Sequence, residues 1–371
     1  MSGKPIAPGG TVGILGGGQL GRMLASAAAE MGLHTHIYCP DENAPAAEVA
    51  AQYTRAEYED EAALTRFAES VDAVTYEFEN VPAETARILS AHGIVRPGPL
   101  ALATAQDRIV EKNFMQANGI LTAPFADITD EASLRNAVEN IGTPSVLKTR
   151  RFGYDGKGQA KIMAPEDAIA AWDEIGRAPA ILEGFVSFER EISVIVARGE
   201  NGETAAYDPV ENIHKNHILD RTLAPAALPE AVAGEACAIA ARIAAELDYV
   251  GVMGVEMFLL PEAGAEQRLL VNEIAPRVHN SGHWTMDACA VGQFEQHMRA
   301  VCGWPLGHPQ RHSDAVMTNL IGDEADGWKK LAAEPGTAIH LYGKAEARPG
   351  RKMGHTTKLY PLGKRPPVTS S

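Results

Sequence analysis

The sequence has 371 residues, of which 33 are basic and 48 acidic, and its net charge is −15. A chain of this length forms two or three domains with ample cores, and its excess of negative charge disfavours a nucleic-acid or anionic-membrane surface. The four cysteines are scattered, and neither a signal region nor an uninterrupted apolar stretch of ~20 residues is present. We therefore expect a cytoplasmic protein whose partners include neither nucleic acid nor a membrane.

The first hundred residues alternate predicted strands with predicted helices. Strands are predicted at 11–15, 34–38 and 73–76, and helices at 20–31, 61–70 and 83–92. Alternation of this kind is typical of a parallel, doubly wound sheet. A proline cluster at 96–99 indicates where this domain ends.

A glycine-rich turn joins the first strand to the first helix. Residues 16–21 read Gly-Gly-Gly-Gln-Leu-Gly and match the G-x-G-x-x-G pattern of dinucleotide sites. The residues after the second strand do not cleanly place an acid for the ribose of NAD. Three interpretations stay open: a ribonucleotide phosphate site at the helix N-terminus, the dinucleotide site of an NAD(P)-dependent oxidoreductase, and a turn that serves only packing.

The middle of the chain changes to short strands joined by glycine-rich loops. A predicted helix at 104–119 is followed by predicted strands at 145–149, 159–163, 180–183 and 190–198. These features predict an antiparallel sheet with interspersed helices, which is an α+β arrangement.

The loop between the first two of these strands has the features of a polyphosphate site. Lys148 ends a strand, and Gly153, Gly156 and Gly158 follow before Gln159. Glycines allow backbone N–H groups to fold over phosphates while the lysine neutralises their charge. The loop lacks the Gly-Lys-Ser/Thr of a Walker A motif.

An extended connector, Glu-Gly-Phe-Val at 183–186, follows the next strand. Extended backbone can pair with an adenine edge while apolar side chains cover its face, and a carboxylate shortly afterwards, at Glu191, can bind ribose hydroxyls. Its position between the glycine loop and the hairpin described next favours a nucleotide site over a simple linker.

Two apolar strands then bring two carboxylates together. In a hairpin in which Leu260 faces Leu269, Glu256 falls opposite Glu273. Two carboxylates on one face of adjacent strands repel each other unless a divalent cation lies between them. Asn272 adds an amide oxygen, and oxygen ligands of this kind predict Mg²⁺.

A polar turn follows the second carboxylate. It contains Arg277, His279, Asn280 and His283. An arginine and two histidines within a few residues suit an anionic reactant. Beside a nucleotide and metal site, this turn predicts that ATP is used to activate an acid.

The order of these elements resembles the ATP-grasp superfamily. A further set of segments resembles its N5-carboxyaminoimidazole ribonucleotide synthase family, namely 16–21, 76–82, 153–156, 277–283 and 342–352. The resemblance implies an ATP-grasp fold of mixed α/β and α+β class. Its N-terminal domain is a doubly wound parallel sheet, and its C-terminal section is small and β-rich.

The resemblance also implies domain boundaries. A Rossmann-like domain would cover 1–103, an ATP-grasp domain 104–311, and the C-terminal section 312–371. Within the ATP-grasp domain, an ATP lid would lie near 120–186 and a metal-binding part near 187–311.

A reaction and its site residues are implied as well: ATP and bicarbonate form carboxyphosphate, whose carboxyl group is captured by the exocyclic amine of aminoimidazole ribonucleotide. The residues implied to bind ATP are Arg108, Lys148, Gly153, Tyr154, Asp155, Gly156, Lys157, Gly158, Gln159, Glu183, Gly184, Phe185, Val186, Glu191, His214, Asn272 and Glu273. Those implied to bind Mg²⁺ are Glu256 and Glu273. Those implied to contact the acceptor nucleotide or the carboxyl donor are Gly18, Gln19, Glu77, Tyr154, Asp155, Lys157, Arg277, His279, Asn280, Lys344, Arg351 and Lys352. Among them, Arg277, His279 and Lys344 are implied to be catalytic.

Several alternatives stay open. Glu79 can take the place of Glu77, because alternation along one strand puts both on the same face. The nearest rival function is another ATP-grasp ligase, such as a formate-dependent glycinamide ribonucleotide transformylase or a biotin carboxylase-like enzyme. An NAD(P)-dependent oxidoreductase and a non-catalytic nucleotide sensor follow. The resemblance also implies a homodimer.

Overall fold

The computed structural model of the protein describes residues 4–153, 157–261 and 268–367, and its N-terminal part is a parallel sheet. The elements of this part are β1 (Thr11–Leu15), α1 (Gln19–Glu30), β2 (His34–Cys39), β3 (Gln52–Arg55), α2 (Glu61–Glu69), β4 (Ala73–Tyr76) and α3 (Ala83–His92). The strand order is β3-β2-β1-β4 and all pairs are parallel, which confirms the predicted doubly wound sheet. We did not predict β3, because this edge strand is short and shows no hydrophobic alternation.

Two helices replace the single helix predicted at 104–119. They are α4 (Pro99–Ala105) and α5 (Arg108–Ala117). The chain breaks between them because the Asp107 side chain caps α5 by accepting from the Ile109 N–H at 3.0 Å. The Gln106 amide also bonds outside the helix, to Val81 O at 2.6 Å. The break places Arg108 at the first turn of α5, facing the cleft described below.

A small antiparallel sheet follows. Its elements are β5 (Phe125–Ile128), α6 (Glu131–Ile141), β6 (Ser145–Thr149), β7 (Gln159–Ile162), α7 (Ala168–Glu174) and β8 (Ala180–Gly184). The strand order β5-β8-β6-β7 confirms the predicted antiparallel pairing in this region. We did not predict β5, α6 or α7, although Asp130 and Ser133 form a capping box at the start of α6 that is readable in the sequence.

The rest of the chain builds one large antiparallel sheet. Its elements are β9 (Arg190–Arg198), β10 (Thr204–Ala206), β11 (Val210–Lys215), β12 (Ile218–Ala224), α8 (Glu230–Glu246), β13 (Gly251–Leu259), β14 (Leu269–Ala275), α9 (Thr285–Ala288), α10 (Gln293–Val301), β15 (Asp314–Ile321), α11 (Trp328–Ala332), β16 (Thr337–Leu341) and β17 (Lys352–Tyr360). The strand order is β14-β13-β9-β11-β12-β15-β17-β16, with β10 paired to β9. Because β12 pairs with β15, the C-terminal strands β15, β16 and β17 belong to this same large sheet. The domain boundaries stay a prediction.

The N-terminal sheet and the large sheet share a buried core. Ile14 and Trp284, from the two parts, belong to the same apolar cluster. At this junction the His297 ring bonds to Thr75 Oγ1 at 2.7 Å and accepts from the Val252 N–H at 3.0 Å. Shared burial fixes the two parts against each other, so side chains from both can line one site. Across the described ranges, no helix combines the length and apolar composition needed to cross a membrane.

Candidate active site

Residues from the N-terminal part and from both antiparallel sheets line one cleft with a volume of about 1000 Å³. The predicted residues that line it are Gly18, Gln19, Glu77, Arg108, Lys148, Gly153, Lys157, Gln159, Glu183, Gly184, Phe185, Val186, Glu191, His214, Glu256, Asn272, Glu273, Arg277, His279, Asn280 and Lys352. Of the predicted residues that the structure describes, Gly158, Lys344 and Arg351 do not line the cleft. Tyr154, Asp155 and Gly156 lie outside the described residues.

The two predicted metal ligands face each other across β13 and β14, but the predicted register is wrong. Leu269 pairs one residue earlier on β13 than expected, at Leu259. A β-bulge at Asn272 then adds one residue to β14, so that Glu256 is paired with Glu273 after all. Hydrophobic alternation cannot reveal such a bulge, because the extra residue follows the apolar run and therefore leaves the alternation within that run unchanged.

Helix α5 holds this bulge in place. Lys112 Nζ donates to Asn272 O at 2.6 Å, and the Ile274 N–H donates to Glu111 Oε1 at 2.6 Å. Both α5 side chains are buried, and burial raises the pKa of Glu111 to about 7. We did not predict these contacts. One signal was available in the sequence. Lys112 precedes the apolar Met115 by three residues, so both lie on one face of the helix, and a charged group on a buried face needs a specific partner.

Each carboxylate of the facing pair contacts a nitrogen of another side chain. Arg108 Nη1 lies 2.9 Å from Glu273 Oε2, and His279 Nε2 lies 3.2 Å from Glu256 Oε1. Burial and then the charge of Glu273 raise the pKa of Glu256. Burial also opposes ionisation of Glu273, but Arg108 outweighs it and lowers the pKa of that carboxyl. Asn272 Oδ1 is buried without a hydrogen-bond partner among the described residues. Two carboxylates and an orphaned amide oxygen form a donor set that suits Mg²⁺.

Lys148 reaches the cleft as one half of an ion pair. On the β6–β8 ladder Val146 is paired with Glu183, and Lys148 lies two residues further along β6, on the same face. Lys148 Nζ lies 2.6 Å from Glu183 Oε2, and Lys112 Nζ lies 3.8 Å from the other oxygen. Burial opposes ionisation of Glu183, but Lys148 and Lys112 outweigh it and lower the pKa of this carboxyl.

The connector at 183–186 lies along the cleft, but part of its backbone is already used. The Gly184 N–H donates to Pro124 O at 2.9 Å, and the Phe185 N–H donates to Pro144 O at 3.1 Å. The expected pairing of an adenine edge with this segment therefore depends on its other backbone groups.

Aromatic and polar side chains complete this end of the cleft. Phe188 stacks on Phe258, with ring centroids 4.7 Å apart, and both rings line the cleft. We did not predict Phe258, although it follows Glu256 by two residues and so lies on the same strand face. His214 Nδ1 lies 2.9 Å from Glu191 Oε2. Burial opposes protonation of His214, but Glu191 outweighs it and raises the pKa of the imidazole.

The glycine turn before α1 is filled by a carboxylate of the protein itself. Glu77 accepts hydrogen bonds from the Gly18 and Gly21 N–H groups, the latter at 2.7 Å. Gly16 has a φ of +112°, and a Cβ at this position would collide with Glu77, so glycine is needed for the close approach. Because these N–H groups already donate to a carboxyl group of the protein, the turn is not an open pyrophosphate site, and the NAD(P)-dependent oxidoreductase interpretation loses its motivation.

Glu77 and Glu79 both line the cleft, but not for the predicted reason, since β4 ends at Tyr76 and neither acid lies on a strand. Glu79 is ion-paired with Arg277, whose Nη2 donates to Glu79 Oε1 at 3.0 Å. Burial opposes ionisation of Glu79, but Arg277 outweighs it and lowers the pKa of the carboxyl. This pair joins the N-terminal part of the protein to the polar turn.

Two members of the polar turn are fixed by neutral partners. Burial and then the charge of Arg277 lower the pKa of His279 to about 3, so this imidazole is neutral at physiological pH. His279 Nδ1 lies 2.9 Å from Ser281 Oγ. Asn280 and Asn319 exchange hydrogen bonds of 3.0 and 2.7 Å between their side-chain amides. The turn therefore presents a rigid set of polar groups to the cleft.

The predicted C-terminal cations are brought together only in part. Lys352 lines the cleft, and Lys344 Nζ donates to Lys352 O at 2.7 Å and lies 5.6 Å from the centre of the Tyr342 ring. Burial lowers the pKa of Lys344 to about 8. Arg351 Nη1 donates instead to Glu346 O, at 2.8 Å.

Three family models match consecutive parts of the chain. Residues 10–106 match the ribonucleotide synthetase preATP-grasp domain, residues 113–294 the ATP-grasp domain, and residues 315–361 the phosphoribosylaminoimidazole carboxylase C-terminal domain. These matches confirm the predicted ATP-grasp fold.

Known proteins are similar over nearly the whole chain. The N5-carboxyaminoimidazole ribonucleotide synthase of Brucella melitensis is 50% identical over 363 residues, which are 97% of this chain and 99% of that protein. A crystal structure of the ADP complex of an N5-carboxyaminoimidazole ribonucleotide synthetase has a TM-score of 0.91 and 42% identity, covering 96% of this chain and 94% of the other. The Aspergillus clavatus synthase, in complex with ADP and 5-aminoimidazole ribonucleotide, has a TM-score of 0.88 and 31% identity, covering 95% and 94%.

Proposed function

The chain belongs to the N5-carboxyaminoimidazole ribonucleotide synthase family, and from this premise we propose which residues perform its reaction. The protein is an ATP-dependent ligase of purine biosynthesis that carboxylates 5-aminoimidazole ribonucleotide to N5-carboxyaminoimidazole ribonucleotide. In the proposed course, a bicarbonate oxygen attacks the γ-phosphorus of ATP and ADP leaves. The exocyclic amine then attacks the carboxyl carbon of carboxyphosphate, phosphate leaves, and the amine gives up a proton.

We assign ATP to the half of the cleft that we call the nucleotide half, formed by Arg108, Lys148, Glu183, Glu256 and Glu273. Arg108 and Lys148 are paired with carboxylates there, and the phosphates of ATP would compete for the same two cations. Glu256 and Glu273, with Asn272 Oδ1 beside them, would hold Mg²⁺. When bound, this ion would supply positive charge that stabilises the phosphoryl group during its transfer.

We assign the carboxyl donor and the acceptor nucleotide to the other half, which we call the acceptor half. Its cleft-lining residues are Gly18, Gln19, Arg277, His279, Asn280, His283 and Lys352. The Arg277 guanidinium suits a carboxylate or a carboxyphosphate, because it offers several donors in one plane. Lys344, one hydrogen bond from the backbone of Lys352, would add charge for the phosphate of the acceptor nucleotide.

One contact supports this arrangement most directly. His279 belongs to the polar turn, and its Nε2 lies 3.2 Å from Glu256, a proposed metal ligand. The group proposed to handle the carboxyl donor is therefore within one hydrogen bond of the group proposed to hold the metal and the transferred phosphoryl group. Proximity of this kind is what a bicarbonate attack on ATP requires.

The experiment that tests the proposal measures ADP release from ATP with 5-aminoimidazole ribonucleotide, in the presence and absence of bicarbonate and of Mg²⁺. We expect release to require all of them. Parallel reactions contain formate with glycinamide ribonucleotide, or biotin with bicarbonate. If either of these pairs stimulates ADP release and 5-aminoimidazole ribonucleotide does not, the assignment of the acceptor half is wrong.

Family membership also supports a homodimer and a cytoplasmic location, which we include in the proposal. Light scattering of the purified protein is expected to give the mass of two chains across a tenfold dilution. A mass of one chain throughout would contradict the dimer.

A further inference from the structure

A buried glutamine at the start of α10 bonds to two histidines of the polar turn. Gln293 is fully buried, and its Oε1 accepts from the His279 N–H at 2.9 Å. Its Nε2 lies 2.8 Å from His279 O and 2.9 Å from His283 Nδ1. The backbone N–H of Gln293 donates to Thr285 Oγ1 at 2.9 Å, which fixes the start of the helix as well. All the polar atoms of this side chain are therefore satisfied within the turn and the helix.

These contacts determine which nitrogen of His283 carries the proton. The His279 N–H can only donate, so the atom that faces it must be the amide oxygen of Gln293. The amide nitrogen then has two hydrogens, which go to His279 O and to His283 Nδ1. Because His283 Nδ1 accepts a hydrogen bond, the proton of the neutral ring lies on Nε2.

The surroundings keep this ring neutral. His283 is buried against Phe294, Tyr342 and His355. Burial lowers the pKa of His283 well below its usual range, and the nearby groups that lower it further are His279, His340, Lys352 and Arg277. Protonation of His283 would add a buried positive charge close to these groups.

We propose that Gln293 is a positioning residue that holds His283 as an Nε2–H donor to an anionic oxygen in the acceptor half. The identification of this anion as the carboxyl donor rests on the proposed function. His283 lines the cleft beside His279, Asn280 and Lys352. With Nδ1 engaged by Gln293, Nε2 is the nitrogen that can serve a ligand. His283 was part of the polar turn in the sequence, but neither it nor Gln293 was among the residues that the resemblance implied to bind a substrate.

A neutral imidazole has a specific use at this position. It can donate a hydrogen bond to a carboxylate or to a developing oxyanion, yet its low basicity keeps it from exchanging protons with a labile mixed anhydride. Arg277 and Lys352 supply the charge that attracts the anion, and His283 supplies a donor in a fixed direction. The two functions are separated because charge acts over distance whereas a hydrogen bond requires alignment.

The first test reads the tautomer without turnover. In protein labelled with ¹⁵N-histidine, long-range proton–nitrogen correlation spectra distinguish a protonated from an unprotonated ring nitrogen, and His283→Phe identifies the signals of His283 by their loss. We expect Nε2–H and an unprotonated Nδ1 from pH 6 to pH 8. A proton on Nδ1, or an imidazolium at pH 7, would overturn the proposal.

Substitution at Gln293 has a matched control on the same helix. Gln296 is also fully buried, and its amide bonds to both backbone groups of Gly307 at 2.7 Å. Gln293→Glu removes the hydrogen that His283 Nδ1 accepts, so we expect the His283 proton to move to Nδ1. Gln296→Glu should leave the His283 signals unchanged. If both variants change the His283 tautomer, or neither does, Gln293 does not position this ring. The spectrum of the unmodified protein still decides the tautomer if Gln293→Glu does not fold.

The second test reads ligand contact. Loss of a hydrogen bond to a charged group weakens binding by about 10- to 100-fold, so His283→Phe should raise the KM for bicarbonate by that factor while the KM for ATP changes less than about twofold. An unchanged KM for bicarbonate would overturn the donor role even with the expected tautomer. Failure of the proposed function looks different, because the unmodified enzyme would then release ADP without any response to bicarbonate.

Discussion

The two halves of the cleft are held together by different kinds of contact. In the nucleotide half, charged side chains from distant elements pair with one another, Arg108 with Glu273 and Lys148 with Glu183. A charged ligand can take the place of the carboxylate as the partner of such a cation, since one ionic contact then replaces another. This half is therefore suited to binding and releasing ATP.

In the acceptor half, neutral groups do most of the positioning. Gln293 holds the His279 backbone, and a buried series of hydrogen bonds runs from Asn212 to Ser193 at 2.9 Å and from Ser193 to Ser281 at 2.7 Å. Ser281 Oγ in turn lies 2.9 Å from the His279 ring. A fully satisfied buried network resists rearrangement, because breaking one bond leaves polar groups unpaired. The site thus combines exchangeable charges for ATP with a rigid polar surface for the labile carboxyl donor.

The largest expected effect comes from a charge of the nucleotide half. Glu273→Ala should lower kcat by about 10³-fold or more, since losing a ligand of a catalytic metal removes several kcal/mol of transition-state stabilisation. The fold should survive, because the Glu273 side chain is 39% exposed and contributes little to the core. ADP release and thermal unfolding measure the two outcomes.

A control for this variant is Glu295→Ala, which removes a carboxylate that is ion-paired with Arg299 on α10. It should retain near-normal turnover. Near-normal turnover of Glu273→Ala itself would refute the metal assignment and with it the proposed role of the nucleotide half.

The next effect concerns Lys344, a titratable cation that we assign to the acceptor half. Its charged form would bind the phosphate of the acceptor nucleotide, and burial lowers its pKa to about 8, so the charge is lost as the pH rises through that value. We expect kcat/KM for 5-aminoimidazole ribonucleotide to fall about tenfold per pH unit above this point.

Lys344→Arg should remove this fall, because a guanidinium stays charged over the whole range. The measurement is the pH profile of kcat/KM in both proteins, with kcat/KM for ATP as the internal reference. A profile that still falls near pH 8 in Lys344→Arg would assign the titration to another group.

The smallest of the three effects concerns Lys112, which holds the backbone of the nucleotide half and is not expected to contact ATP. Lys112→Met removes the hydrogen bond that holds the Asn272 bulge, together with the 3.8 Å contact between Lys112 and Glu183. The Mg²⁺ concentration for half-maximal velocity should rise about tenfold, as for other contacts that orient a metal ligand from behind. The free energy of unfolding should fall by about 1–3 kcal/mol, because Asn272 O loses a buried partner.

Lys330→Met, at an exposed lysine of α11, controls for the loss of a positive charge. It should change neither quantity. A Lys112→Met protein that is destabilised but keeps its Mg²⁺ dependence would show that Lys112 supports only the fold.

The elements that could be predicted are those with strong local patterns. β1, β4, β6, β9 and α3 were predicted with the bounds that the structure has, because apolar alternation or helical spacing marks each of them clearly. The strands and helices that were missed, such as β3 and β5, are short and partly exposed, so hydrophobic alternation along them is weak.

The candidate site shows the same division. Its charged residues were found because a strand that ends in Lys148, or a carboxylate on an apolar strand, is unusual without a ligand. Phe258, Lys112 and Gln293 were missed, because each looks like an ordinary core or surface residue until its partner is known.

By itself, the sequence determined which reactive groups the protein carries and in what order: a lysine with a glycine loop, two carboxylates on adjacent strands, and a polar turn with an arginine and histidines. The orientation of these groups follows from contacts that form on folding. The bulge that aligns Glu256 with Glu273 depends on Lys112, which lies 160 positions before Asn272 in the chain. Strand and helix periodicity is a property of neighbours along the chain, whereas a bulge or a fixed tautomer depends on buried hydrogen bonds between residues that meet only after folding.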